Sequence, residues 1–150
     1  MIKYCFEKWD KNKEKLRENL INDSSIASCN YFHLLEKVVT FILNDGENNK
    51  EWFEDSITEI NNGDYQGTLL FLIPKFTEQP EEYQYLMTFV NYGSCSGCDT
   101  LMSLQDDELA EIIDNIDGYM SLCEHLVCNM IKPYNYGWRN DPDFDTVEQE

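Results

Sequence analysis

Two cysteines separated by two residues are the sharpest chemical feature of the sequence. Cys95 and Cys98 lie in the segment YGSCSGCDTL, where Gly97 lets the backbone turn tightly. Such a turn brings two thiols close enough to bind one metal ion or to form a disulfide. At the start of a helical turn the thiol pKa is also lowered, as in dithiol redox sites. A thioredoxin-like site needs a βαβ pattern around the motif, whereas a hairpin is predicted before this one and helices after it.

The last predicted helix offers two further zinc ligands. His125 and Cys128 are three residues apart, so they share a helix face and can complete a Cys3His tetrahedron with Cys95 and Cys98. The spacing from 98 to 125 matches no zinc-finger signature, and the motif can equally form a plain turn over unmetallated side chains. We therefore expect no cofactor, with one structural zinc as the alternative. Cys123 lies in an apolar seam and is expected to fill the core.

The net charge is the second unusual property. The chain has 29 acidic and 11 basic residues, a formal net charge of −18. This field repels phosphates, so we expect no direct binding to nucleic acid or to a membrane. Carboxylates on a surface can imitate the phosphates of a duplex and occupy the basic groove of a nucleic-acid enzyme. The alternative is a merely solvated surface, although solubility needs only about 2–8 charges in a small domain.

The expected contacts with a basic partner fall into two groups. The first is a cluster of carboxylates at the start of a predicted helix, where acids also stabilise the helix end without any partner. The second lies in residues 134–150, a predicted irregular acidic tail in which aromatic anchors stand beside carboxylates. The expected contact residues are Asp106, Asp107, Glu108, Glu111, Asp114, Trp138, Asp141, Asp143 and Asp145.

Other chemistry has no support in the sequence. It contains no phosphate-binding loop, nucleophile elbow or H-E-x-x-H motif, so we expect no catalytic residues and no enzyme. The first residues lack the apolar region of a signal peptide, and no apolar run is long enough to span a membrane. We therefore expect a cytoplasmic protein in which the six cysteines are thiols or metal ligands.

The apolar pattern predicts an α+β fold in which several helices pack around a small antiparallel sheet, within a single domain of residues 1–150. A hairpin is predicted from about 68–73 and 83–91, two short runs rich in strand formers. Its connection, residues 75–82, is too long for a tight turn. Two strands alone are barely stable, so the helices must cover them.

Four helices are predicted from apolar residues at helical spacing. The first places Phe6, Trp9, Leu16 and Leu20 on one face. The second runs from Ala27 to Ile42 and is stopped by Asp45-Gly46. The third covers about 51–60 with Ile60 inward and is ended by Asn61-Asn62-Gly63. The last begins at Asp106, includes Leu109 and Ile113 in its seam and ends before Pro133. The alternative is that Asp117-Gly118 divides it into two helices.

Four segments carry a resemblance to a known family: residues 62–68 (NGDYQGT), 71–75 (FLIPK), 92–101 (YGSCSGCDTL) and 125–127 (HLV). In these segments the chain resembles a family of small proteins encoded by bacteriophages and mobile elements of Gram-positive-type bacteria. The resemblance covers about residues 60–130, and GSCSGCDTL is its most specific part. It implies no activity, but it does imply a phage or plasmid gene that acts in a bacterial cytoplasm.

Charge and resemblance together lead to two hypotheses. The first is an accessory protein that binds and inhibits a basic, nucleic-acid-handling host protein, such as a defence nuclease, by imitating DNA. The alternative is a small zinc-binding or thiol-redox domain in which Cys95 and Cys98 do the chemistry.

Overall fold

The chain folds into helices and one three-stranded antiparallel sheet, the predicted α+β class. A computed structural model describes residues 2–46, 50–64, 66–81, 84–94, 99–105 and 111–132. The helices are α1 (Lys3–Ile21), α2 (Tyr31–Val38), α3 (Thr100–Leu104) and α4 (Ile116–Cys128), and the strands are β1 (Thr58–Gly63), β2 (Gly67–Pro74) and β3 (Tyr85–Tyr92). None of the helices in these described ranges is both long and apolar enough to cross a membrane.

The sheet has the order β1-β2-β3. The predicted hairpin is confirmed as β2 and β3, with Phe71 opposite Thr88. The predicted helix over 51–60 is wrong, because the backbone there pairs with β2 and its continuation. Phe53 donates to the carbonyl of Pro74 at 2.9 Å, and Thr58–Gly63 forms β1. Ile60 consequently faces solvent with 46% of its surface exposed.

The turn after β1 depends on glycine. The segment 61–63 is not a helix cap, as the sequence pattern predicts, but the end of a strand. Gly63 has φ 154° and lies opposite Gly67. A Cβ on Gly67 would overlap the carbonyl oxygen of Asn62, so only glycine fits this close approach of two backbones.

Helix α1 buries a face that is rotated from the predicted one. Trp9, Leu16 and Leu20 are buried as predicted, but Phe6 is 47% exposed. Cys5 is buried instead, because it precedes Trp9 by four residues and so lies on the same face of the helix. Phe6 is rotated from Cys5 by about 100° around the helix axis.

The predicted second helix is divided into three pieces. A 3₁₀ turn at Ser24–Ser28 leaves Ala27 exposed, and α2 starts anew because the Asn30 side chain accepts from the His33 N–H at 2.9 Å. The helix then widens into a π turn at Val39–Leu43. Asp45 and Gly46, at φ 58° and 69°, end it as predicted.

Helix α4 begins later than the predicted last helix. A 3₁₀ turn at Ile112–Asn115 precedes it, and Ile113 is 53% exposed rather than in the seam. Gly118 does not break α4. Its missing Cβ instead leaves room for the Leu104 side chain of α3. The helix ends at Cys128, before Pro133, while Asp106 and Leu109 lie outside the described residues.

The helices cover one face of the sheet. The Thr88 hydroxyl donates to the carbonyl of Leu126 in α4, and the rings of Phe32 and Phe71 lie 6.3 Å apart. Buried residues of α1, α2, α4 and the sheet form one hydrophobic core. The strand positions that point away from this core, apart from the buried Pro74, are exposed or partly exposed.

Candidate partner-binding surface

The predicted acidic cluster is described in part, at the 3₁₀ turn before α4. Glu111 and Asp114 are both exposed, and each side chain accepts from the backbone N–H of the other residue. The bond from Glu111 N–H to Asp114 Oδ2 is 3.0 Å long. These carboxylates therefore have the local capping role, and their charges still face solvent. Asp106, Asp107 and Glu108 lie outside the described residues.

An open cleft of about 500 Å³ adjoins these acids. Its described lining combines the end of α1, the first 3₁₀ turn and the turn before α4: Ile21, Asn22, Ser24, Ala27, Glu111, Ile112 and Ile113. An exposed isoleucine among carboxylates is the kind of apolar anchor and charged rim that protein interfaces use. Asp117 extends the acidic side and pairs with Arg17 at 3.1 Å.

Most lysines of α1 contact Asp45 and not the acids of the turn before α4. Lys8 and Lys11 approach the Asp45 carboxylate at 2.8 and 3.5 Å. Lys15 donates to the Asp45 carbonyl at 3.3 Å. Burial tends to raise the pKa of Asp45, but the bonds from Lys8 and Asn12 outweigh it and hold that pKa below its ordinary value. These cations thus converge on one acid and do not neutralise the turn before α4.

Another ion pair fixes α2 to the preceding turn. Lys37 lies 2.7 Å from Asp23, which also accepts from the Ser25 hydroxyl. The bond from Lys37, followed by that from Ser25, lowers the pKa of Asp23 to about 2. The carboxylate is therefore ionised at neutral pH and already paired within the protein.

The residues that flank the cysteine motif are held firmly. Asp99 is only 5% exposed and accepts from Gly93 N–H at 2.8 Å, from the Tyr31 hydroxyl at 2.8 Å and from Met102 N–H at 3.0 Å. Tyr31 in turn accepts from Leu101 N–H. Burial, opposed by that bond and supported by Asp99, raises the pKa of Tyr31. The two ends of the motif are therefore joined to each other and to α2.

The Asp99–Tyr31 network is absent from the sequence prediction. Its one local signal is an Asp before the short helix α3, where it caps the Met102 N–H. The partner Tyr31 is far away in the sequence, so no spacing rule connects the two.

The four proposed zinc ligands are not placed together by the described residues. His125 and Cys128 are exposed in the last turn of α4, whereas Cys95 and Cys98 lie outside the described residues. Burial, followed by the charge of Glu124, raises the pKa of Cys128. Within the described ranges no three metal-binding side chains cluster.

The remaining thiols are structural. Cys123 is fully buried, as predicted, and burial raises its pKa to about 12. Burial also raises the pKa of Cys5 to about 12 and that of Cys29 to about 11. These three thiols stay protonated at neutral pH and are poor nucleophiles.

The second predicted contact group, Trp138, Asp141, Asp143 and Asp145, lies outside the described residues, as does the rest of the predicted tail. Comparisons with known proteins found no match to this chain, whether among protein-family models, curated proteins or solved structures.

Proposed function

We propose that this chain is an acidic accessory protein of a phage or mobile element that acts in a bacterial cytoplasm. It binds a basic, nucleic-acid-handling host protein, such as a defence nuclease, and inhibits it by offering carboxylates in place of phosphates. It needs no cofactor and catalyses no reaction. The negative charge attracts a basic groove at long range, and apolar contacts then hold the complex.

The observation that carries this proposal is the cleft at the turn before α4. There Glu111 and Asp114 are exposed and form no ion pair with any described residue, while Ile113 is exposed beside them. Ile21 and Ile112 line the same cleft, so the apolar surface beside the carboxylates comes from three isoleucines. A surface that binds a basic protein uses both features.

Capture from a lysate of a Gram-positive bacterium tests the proposal. The tagged protein is immobilised, and bound proteins are eluted by a salt gradient with and without competing duplex DNA. We expect a nucleic-acid enzyme that elutes at moderate salt and is displaced by DNA. A bound protein that is indifferent to both salt and DNA would contradict charge mimicry.

The alternative, a zinc-binding or thiol-redox domain, has one supporting observation. Gly93 and Asp99, which stand on either side of the C-x-x-C segment in the sequence, are joined by a hydrogen bond from the Gly93 N–H to the Asp99 carboxylate. Stoichiometric zinc in protein purified under reducing conditions, lost in Cys95→Ser but kept in Cys5→Ser, would establish a metal site. Absence of zinc together with ordinary reactivity of Cys95 and Cys98 towards a thiol reagent would remove this alternative.

A further inference from the structure

The face of the sheet that points away from the helices is uncharged. The register places Leu70 opposite both Ile60 and Phe89, and Leu72 opposite Met87, so these side chains share one face. The other positions on this side of the strands are Thr58, Asn62, Thr68, Pro74, Tyr85 and Asn91, of which Pro74 is buried. None of these positions is charged, although 27% of the chain is Asp, Glu, Lys or Arg. We call this surface the outer sheet face.

The outer sheet face continues beyond the three strands. Ile131 forms an antiparallel bridge with Met87, which puts its side chain on the same face, and it is 45% exposed. Past the end of β2, Phe76 is 51% exposed and packs edge-on against Phe53, with ring centroids 5.0 Å apart. Apolar side chains that are exposed together on one uncharged surface are typical of an interaction site.

Exposed carboxylates flank the outer sheet face. Glu59 lies in the edge strand β1, Asp64 in the turn between β1 and β2, and Glu78 and Glu81 in the connection from β2 to β3. These four acids form no ion pair with a described residue. The nearby Lys75 already lies 4.0 Å from Glu51 and 5.7 Å from the centre of the Trp52 ring.

We infer that the outer sheet face is the docking surface for a basic protein segment with an apolar face. This inference rests on the proposed function, because it takes the same class of partner and adds a second surface, besides the cleft before α4, for the partner's apolar side chains. Charge complementarity selects the occupant: apolar side chains meet Ile60, Leu70 and Met87, and flanking lysines or arginines meet the surrounding carboxylates. A second copy of this chain also has a formal net charge of −18, so charge repulsion disfavours it as the occupant.

The test uses the full chain and three single variants. Ile60→Asn and Ile131→Asn replace side chains that are 46% and 45% exposed, so both should fold. Phe6→Asn, at a position 47% exposed on α1, is the matched control. The probe is a synthetic peptide in which valines and lysines alternate. A scrambled peptide of the same composition keeps the charge and loses the alternation, so it controls for bulk charge. A peptide with glutamates in place of the lysines keeps the alternation, so it controls for the apolar pattern.

Fluorescence titration should show that the alternating basic peptide binds at least about tenfold more tightly than either control peptide. Ile60→Asn and Ile131→Asn should each weaken it by about fivefold to tenfold, while Phe6→Asn should leave it unchanged. Equal affinity for the alternating and scrambled peptides would overturn the inference, as would equal effects of Ile60→Asn and Phe6→Asn. Concentration-dependent dimerisation that is lost in Ile60→Asn would assign the face to a second copy and also overturn it.

The two proposals fail separately. If neutralising Glu111 and Asp114 weakens peptide binding while Ile60→Asn does not, the outer sheet face is not the docking surface and the proposed function stands. If peptide binding is insensitive to salt, the proposed function, which requires a basic partner attracted by charge, is contradicted.

Discussion

At the scale of single residues, Asp99 is the side chain that joins Gly93, Tyr31 and Met102. Asp99→Asn keeps the size of the side chain but replaces one carboxylate oxygen by an NH₂ group. That group then faces either the Gly93 N–H, which donates to Oδ2, or the Tyr31 hydroxyl and the Met102 N–H, which donate to Oδ1. We expect a loss of about 1–3 kcal/mol in the free energy of unfolding, measured in urea. The control is Asp64→Asn in an exposed turn, expected within about 0.5 kcal/mol of the unchanged protein. Equal effects would contradict the role of Asp99.

Asp23 gives a prediction about pH. Its pKa in the folded protein, about 2, is below the ordinary 3.8, so its contribution to stability is present above about pH 4 and is lost as the pH falls towards 2. Asp23→Asn keeps a capping oxygen for the Ser25 N–H but removes the charge. Unfolding in urea at several pH values should show the unchanged protein losing more stability than this variant between about pH 5 and pH 2. Parallel curves would contradict the pairing with Lys37.

At the scale of elements, the turn between β1 and β2 has the strictest geometric requirement. Gly67→Ala introduces a Cβ against the backbone of Asn62, which cannot move without separating the two strands. We expect a loss of at least about 1 kcal/mol in the free energy of unfolding. Gln66→Ala, an exposed change in the same turn, should have little effect. If the two variants were equally stable, the close approach at Gly67 would be absent.

Local pattern explains which elements the sequence predicts. The β2–β3 hairpin, most of α1 and the stop at Asp45-Gly46 follow from nearby residues. Strand β1 does not, because its residues are all exposed and its conformation comes from pairing with β2. The same limit applies to the candidate site. Glu111 and Asp114 are evident as surface acids, whereas the contact between Asp99 and Tyr31 joins residues that are distant in the chain.

At the scale of the whole molecule, the distribution of charge matters more than its total. Three lysines of α1 contact Asp45, and Lys37 pairs with Asp23. Arg17 pairs with Asp117, but Glu111 and Asp114 in the turn before α4 and the acids around the outer sheet face keep their charge without an ion pair to a described residue. Binding to a basic partner should therefore weaken steeply with salt. The apparent affinity measured between about 50 and 200 mM salt should fall by at least about tenfold. A flat salt dependence would show that charge does not drive the association.

The most direct test of the central claim compares two double variants that remove the same charge from different surfaces. Glu111→Gln with Asp114→Asn keeps both capping oxygens, and Glu7→Gln with Glu14→Gln neutralises two exposed acids of α1. Each variant is immobilised and used to capture the host partner, and the partner is then eluted by the same salt gradient. The account predicts that the partner leaves the first variant at clearly lower salt and the second at nearly the salt needed for the unchanged protein. Elution of both at the same salt would contradict a binding surface at the turn before α4.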